Sequence, residues 1–150
     1  MRLFLDTNIV IDYLTARGDV TATDQIFESI DEGIHTGVIS IGSYYTITYC
    51  VERFLKEEGY KNPRRLVKLR DVLTELLLSL EVAGHTREDL LSATNDPQFK
   101  DLEDSYQLRA ASAASCAYLI TNNVKDFRDS DSTEVTVVTP KMFLKVVGSH

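Results

Sequence analysis

Short apolar runs alternate with helix-like segments along this chain, and that alternation constrains the fold more than any other feature of the sequence. The runs expected to form strands begin near Arg2, Val38, Leu80, Tyr118 and Thr136. Between them, apolar residues recur at the three- and four-residue spacing of amphipathic helices. Strands that alternate with helices form a parallel sheet covered on both faces. We therefore expect an α/β protein, a three-layer α/β/α fold with a mostly parallel central sheet.

The length of 150 residues suits one domain that buries a substantial core. We expect this domain to span residues 1–147, and residues 148–150, which read Gly-Ser-His, to be a cloning scar. No apolar run approaches the roughly 20 residues of a membrane helix. The N-terminus does not resemble a signal peptide, because Asp6 and Asp12 interrupt its apolar stretch. The sequence therefore favours a cytoplasmic protein with no membrane partner, in which both cysteines are free thiols.

The charge is unevenly distributed along the chain. The formal net charge is −7, which argues against a protein that coats itself with nucleic acid. Seven of the 16 basic residues nevertheless fall in one segment: Arg53, Lys56, Lys61, Arg64, Arg65, Lys68 and Arg70. Such a segment can hold a phosphate backbone locally, or it can be an ordinary solvated helix face. Both interpretations stay open from the sequence.

Helix starts and buried faces also follow from local patterns. Asn8, Asn62, Thr86 and Thr139 are expected to cap the N-termini of four helices, and a proline follows the second and the fourth of these caps. The long helix after the second cap carries an apolar stripe that faces the core or a partner: Leu66, Leu69, Leu73, Leu76 and Leu80. The Ala-rich helix is expected to pack through Leu102, Tyr106, Ala110, Ala113 and Ala117.

Two predicted strands end in polar residues that can carry chemistry. The apolar run Leu3–Leu5 ends abruptly at a carboxylate, Asp6. In open α/β sheets, ligands bind in the crevice outside the carboxyl ends of the strands. The strand that ends near Ile120 is likewise followed by Asn123 and Asp126. We expect both strand ends to face one crevice.

A third group of acids begins the Ala-rich helix. Asp101 and Asp104 are three residues apart and share one helix face, whereas Glu103 is expected to point elsewhere. Clustered carboxylates suit Mg²⁺ or Mn²⁺, which prefer oxygen ligands and keep several waters, and such ions assist phosphoryl chemistry. Structural explanations compete with this hypothesis. The macrodipole favours acids in a first helical turn, and Asp126 could cap its own turn.

At these residues the chain resembles the PIN-domain family, the small metal-dependent ribonuclease fold used by toxins of the VapC type. The letters LDTN at residues 5–8 resemble the opening motif of the family, and DLED at residues 101–104 resembles its D-x-E-D variant. TNNVKDF at residues 121–127 resembles its late T-x-N-x-x-D-F signature, and VTPKMFL at residues 138–144 is similar to its closing strand and helix. The order and spacing cover nearly the whole chain.

The resemblance implies a set of site residues. Asp6, Asp104 and Asp126 match acidic metal-site positions of the family, where Mg²⁺ or Mn²⁺ would be held. Asn123 matches a position that is Asp in many relatives and Asn in others, and Asp101 is a weaker candidate.

One position departs from the family pattern. The family usually places Glu or Asp on the helix after the second strand, six residues beyond a Ser. Here Ser40 leads to Thr46, which is neutral, and Glu52 lies too far along the helix to replace the missing acid. The ligand set thereby loses one negative charge, although a Thr hydroxyl can still hold a metal-bound water.

Three functions are weighed. The resemblance implies a Mg²⁺- or Mn²⁺-dependent ribonuclease that hydrolyses RNA, the toxin of a toxin–antitoxin pair, with an antitoxin protein as partner and a homodimer as its assembly. The neutral Thr46 favours instead a catalytically weak PIN-like module that binds RNA or a protein. A different α/β phosphate-handling protein is the third class. A haloacid dehalogenase-type phosphatase, however, needs a second Asp where Asn8 stands, and no Gly-rich nucleotide-binding loop is present.

Overall fold

The computed structural model describes residues 1–127 and 134–148. Within these residues the strands are β1 (Arg2–Leu5), β2 (Thr36–Ser40), β3 (Leu80–Ala83), β4 (Tyr118–Ile120) and β5 (Thr136–Val138). The helices are α1 (Thr7–Thr15), α2 (Val20–Asp31), α3 (Ile41–Glu57), α4 (Arg64–Ser79), α5 (Arg87–Thr94), α6 (Leu102–Ala113) and α7 (Pro140–Gly148). A short 3₁₀ helix spans Val124–Phe127. Of the expected cloning scar, residues 149 and 150 lie outside the described residues.

The strands form one parallel sheet in the order β3-β2-β1-β4-β5. Side chains alternate between its faces. Leu3 and Leu5 of the central strand β1 pack in a cluster with residues of α1, α2, α3, α4 and α7. Phe4 packs on the other face with Leu108 and Ala111 of α6. Helices therefore cover both faces of the sheet, and the expected three-layer α/β/α fold is confirmed.

Two of the expected helix caps are wrong. Helix α1 begins at Thr7, and its cap is Asp6 rather than Asn8, because the Asp6 side chain accepts the N–H of Thr7 at 2.9 Å. The strand thus passes directly into the helix, and the carboxylate sits at the junction. At the start of α4 the cap position is Pro63, and no side chain caps it, so Asn62 does not have the expected role.

The other two caps are confirmed. Thr86 forms a capping box with Asp89 at the start of α5. The Thr139 hydroxyl accepts the N–H of Met142 at 3.1 Å at the start of α7.

The buried faces of the helices match the expectation only in part. In the stripe on α4, Leu69 and Leu76 are buried but Leu66 is 43% exposed. On α6 the expected face is confirmed at Ala110, which is fully buried, but it is wrong at Leu102, which is 44% exposed, and at Ala113, which is also exposed. The buried residues of α6 include two polar ones: Ser105, Gln107, Leu108, Ala110 and Ala111. Because polar residues lie on the inner face of α6, hydrophobic spacing does not mark it.

Both cysteines are free thiols, as expected, and Cys116 is buried. Among the helices of the described residues, none combines the length and the apolar character that a membrane crossing requires.

Gly37 is a point of close packing in β2. A Cβ atom added there would lie 2.5 Å from Leu80 Cδ2 and 2.8 Å from Ile30 Cδ1. We predict that Gly37→Ala lowers the free energy of unfolding by about 1–3 kcal/mol, because the core must shift to accept the methyl group. Gly84→Ala is the control, since a Cβ there would meet nothing within 4 Å. Denaturant titration of both variants checks this, and equal midpoints would contradict it.

Candidate metal centre

Asp6 is a buried carboxylate at the carboxyl end of the central strand, and its side chain is held by neutral groups. The residue is only 6% exposed. Oδ1 accepts the N–H of Thr7 at 2.9 Å and Nε2 of Gln107 at 3.2 Å. Oδ2 accepts the hydroxyl of Thr121 at 2.7 Å. Burial of a charge costs free energy unless the charge is compensated. The hydrogen-bond donors named here are neutral, so a bound cation would supply a compensating charge.

A buried polar network extends from Asp6 to the neighbouring strand. The Ser40 hydroxyl donates to Oε1 of Gln107 at 2.8 Å, and Nε2 of Gln107 donates to the Ser43 hydroxyl at 2.9 Å. The hydroxyl oxygens of Ser43 and Thr7 lie 2.6 Å apart. In the described residues no buried side-chain nitrogen or oxygen lacks a partner. The network joins the β1–α1 junction, the β2–α3 junction and α6.

The end of β4 is tied to the same carboxylate. The Asp6 N–H donates to the Ile120 carbonyl at 3.0 Å. The Thr121 hydroxyl, which donates to Asp6, also accepts the N–H of Asn123 at 3.0 Å. This contact holds the segment that leads to Asp126, which is exposed on the 3₁₀ helix. The two strand ends therefore face one crevice, as the sequence predicts.

The acids of α6 complete a cluster of negative charge around Asp6. Burial raises the pKa of Asp104 to about 7, and the charges of Asp101, Asp6, Asp126 and Glu103 act in the same direction. These carboxyls are therefore close enough to repel one another. Asp101 also caps α6, where its Oδ1 accepts the N–H of Glu103 at 2.9 Å.

Glu103 corrects one expectation, because it does not point away from the site. Burial raises the pKa of Glu103, and the charges of Asp6 and Asp101 raise it further. Glu103 and Gln107 are four residues apart and so share a helix face. The contact of Gln107 with Asp6, which only the structure shows, places this face toward Asp6.

Thr46 and Glu103 line one cavity of about 340 Å³, which borders the polar network at Ser40, Ser43 and Gln107 but is not lined by Asp6, Asp104 or Asp126. Polar lining residues are Ser40, Ser43, Thr46, His85, Glu103, Tyr106 and Gln107. Nothing in the sequence pattern singled out His85 or Gln107. His85 Nε2 lies 3.0 Å from the carbonyl of Tyr106, so this nitrogen carries a proton and donates to it.

Carboxylate and hydroxyl oxygens are the ligands that divalent cations such as Mg²⁺ prefer. In the part of the chain that the structure describes, no group of three or more His, Cys, Asp or Glu side chains is placed to hold a metal ion. Mg²⁺ usually needs one or two protein carboxylates and keeps its waters. In the described residues the salt bridges are Arg2–Glu81 and Arg53–Glu57, and neither engages a crevice carboxylate.

The basic segment of residues 53–70 lies on α3, α4 and the turn between them. Arg53 pairs with Glu57, and the Arg64 guanidinium lies 5.7 Å from the centre of the Tyr60 ring. None of the seven basic residues lines the crevice. These contacts are those of a solvated helix surface, and a role in RNA binding stays a prediction.

Comparison with known proteins identifies a family and several similar structures, two of which follow. A family model described as the PIN domain matches residues 2–125. A toxin–antitoxin complex from Klebsiella pneumoniae is similar, with 21% identity and a TM-score of 0.62 over 92% of this chain and 97% of that chain. VapBC2 from Rickettsia felis, bound to a DNA fragment from their promoter, is also similar. It has 16% identity and a TM-score of 0.61 over 93% of this chain and 98% of that chain. At these identities the structures support the fold alone. No curated protein matches the sequence significantly.

The raised pKa of Asp104 predicts how stability depends on pH without metal. Between its unfolded pKa near 4 and its folded pKa of about 7, the folded protein binds more protons than the unfolded chain. The contribution of Asp104 to the free energy of unfolding is therefore fully present at low pH and is lost as the pH rises through about 7. We predict that the melting temperature in EDTA falls as the pH rises from about 4 to about 7.

Asp104→Asn should flatten this decline, whereas Asp24→Asn, at an exposed position on α2, should retain it. Calorimetry across the pH range measures both variants. An unchanged slope in Asp104→Asn would contradict the assignment.

Proposed function

The chain belongs to the PIN-domain family, and we propose that it is a divalent-metal-dependent ribonuclease that acts as the toxin of a toxin–antitoxin pair. The observation that carries the proposal is the carboxylate of Asp6. It is buried at the end of the central strand with neutral donors on both oxygens, and further acids gather beside it. A divalent cation bound between these acids would offset their mutual repulsion.

We propose Asp6, Asp104 and Asp126 as the side chains that would hold Mg²⁺ or Mn²⁺, with Asn123 and Asp101 as further candidates. When bound, such an ion supplies Lewis-acid chemistry: it polarises a phosphoryl oxygen and activates a water. Asp104 is partly protonated at neutral pH in the metal-free protein, since its pKa is about 7. A cation that binds there must displace this proton, so metal affinity rises with pH.

We propose that Glu103 takes the place of the acid that is missing at Thr46. Both residues line the same cavity, and burial, together with the charges of Asp6 and Asp101, raises the pKa of Glu103. We propose that Glu103 supplies from α6 the negative charge that the family pattern places on α3. The second candidate function, a catalytically weak module that binds RNA or a protein, is favoured by the neutral Thr46 if Glu103 does not act in this way.

The proposed partners are RNA as substrate and an antitoxin protein. The two similar structures described above are a toxin–antitoxin complex and VapBC2 bound to DNA, which supports an antitoxin as the second partner. A homodimer is also proposed, because α3 exposes Ile41 by 45%, Tyr45 by 68% and Tyr49 by 67% at successive four-residue steps. The molar mass of the purified chain in solution tests this assembly.

We predict that Asp6→Asn lowers Mn²⁺-dependent cleavage of single-stranded RNA by more than about 100-fold. The asparagine keeps the size of the side chain and removes its charge. Asp24→Asn is the control. Cleavage rates of a fluorescent oligonucleotide at several Mn²⁺ concentrations, with EDTA as blank, measure the effect. Equal cleavage by wild type and Asp6→Asn, or none by either, would overturn the ribonuclease proposal.

Two variants test the role of Glu103 against that of Thr46. We predict that Glu103→Gln weakens Mn²⁺ binding, and that Thr46→Glu in the Glu103→Gln protein recovers part of it, because a carboxylate returns to the same crevice. Calorimetric titration with Mn²⁺ measures both. Unaltered binding in Glu103→Gln, together with strong cleavage, would show that Glu103 contributes nothing.

A further inference from the structure

We propose that Gln107 is a positioning residue whose side-chain amide fixes the Asp6 carboxylate for divalent-metal binding, an inference that rests on the proposed function. Gln107 is 3% exposed and lies on α6, a helix that otherwise buries mainly small and apolar residues. A long polar side chain in that place requires a hydrogen-bonding reason.

The neighbours of Gln107 fix the orientation of its amide. An ionised Asp6 can only accept hydrogen bonds, so the nitrogen of the amide must face it, and Nε2 lies 3.2 Å from Oδ1. The opposite end faces a donor, since the Ser40 hydroxyl lies 2.8 Å from Oε1. Nε2 also donates to Ser43 at 2.9 Å. With both ends engaged, the amide cannot turn over without loss of several hydrogen bonds.

The same hydrogen bond sets where the α6 acids lie relative to Asp6. Gln107 follows Asp104 by three residues and Glu103 by four, so the three side chains share one side of α6. The contact between Gln107 and Asp6 therefore joins α6 to the Asp6 carboxylate, whose rotation it holds together with the N–H of Thr7 and the hydroxyl of Thr121. Partners of this kind orient metal ligands, and their loss typically weakens metal binding by about 10- to 100-fold.

Gln107→Met separates this role from simple packing. Methionine keeps the length of the side chain and removes every hydrogen bond of the glutamine amide. Of the two hydrogen bonds that Oδ1 of Asp6 accepts, only the one from the N–H of Thr7 then remains. Ser105→Ala is the matched control. Ser105 is also 3% exposed on α6, and its hydroxyl donates to the Ala93 carbonyl at 2.7 Å, away from Asp6. Both variants lose buried hydrogen bonds of the same helix, but only Gln107→Met touches the carboxylate.

The experiment is a calorimetric titration of the full chain with Mn²⁺ alone, with the melting temperature in EDTA measured in parallel. We expect Gln107→Met to bind Mn²⁺ about tenfold more weakly or worse, and Ser105→Ala to bind it within about twofold of wild type whatever its melting temperature. Wild-type affinity in Gln107→Met, or an equal loss in Ser105→Ala, would overturn the positioning role.

A parallel assay of RNA cleavage keeps the two proposals distinguishable. A wild type that binds Mn²⁺ through Asp6 and Gln107 but cleaves no RNA would support the positioning role and reject the ribonuclease. If cleavage needs Asp6 but Gln107→Met binds Mn²⁺ with wild-type affinity, the ribonuclease proposal is supported and the positioning role of Gln107 is rejected. A wild type that binds no Mn²⁺ would overturn both.

Discussion

The arrangement of the site depends on the burial of one carboxylate at the end of the central strand. Asp6 caps α1, accepts from Thr121 after β4 and accepts from Gln107 on α6, so three separate parts of the chain meet on its two oxygens. All these donors are neutral. The position of the site is thus fixed by hydrogen bonds, and further acids lie within electrostatic range of it.

The sequence predicts the architecture well, because the fold follows from a repeated pattern. Five short apolar segments separated by helices permit few arrangements other than a parallel sheet with helices on both faces. Asp6 is also visible in the sequence, since an acid rarely ends an apolar strand without a reason. Asp104 lies within electrostatic range of both Asp6 and Asp126, and this agrees with a general rule, because parallel strands present their carboxyl ends to one crevice.

The parts that the sequence does not predict are polar contacts between distant residues. Gln107 contacts Asp6 across 101 positions, and no local pattern records such a pair. The inner face of α6 is misassigned for the same reason, because Ser105 and Gln107 are buried through hydrogen bonds rather than through apolar surface. Asn8 is misassigned as a cap because Asp6 satisfies the first N–H of α1 with its own side chain. In each case the outcome depends on a hydrogen bond of a buried polar side chain, which neither hydrophobic spacing nor residue type records.

The central claim is that the acids around Asp6 form a site for a divalent cation even though Thr46 contributes no charge. Crystals grown with Mn²⁺, with anomalous diffraction measured near the manganese absorption edge, test it most directly. The account predicts an anomalous peak within coordination distance of Asp6 and Asp104, beside the segment that carries Asp126. Crystals that show no peak at Asp6, or manganese bound only elsewhere on the chain, would contradict it.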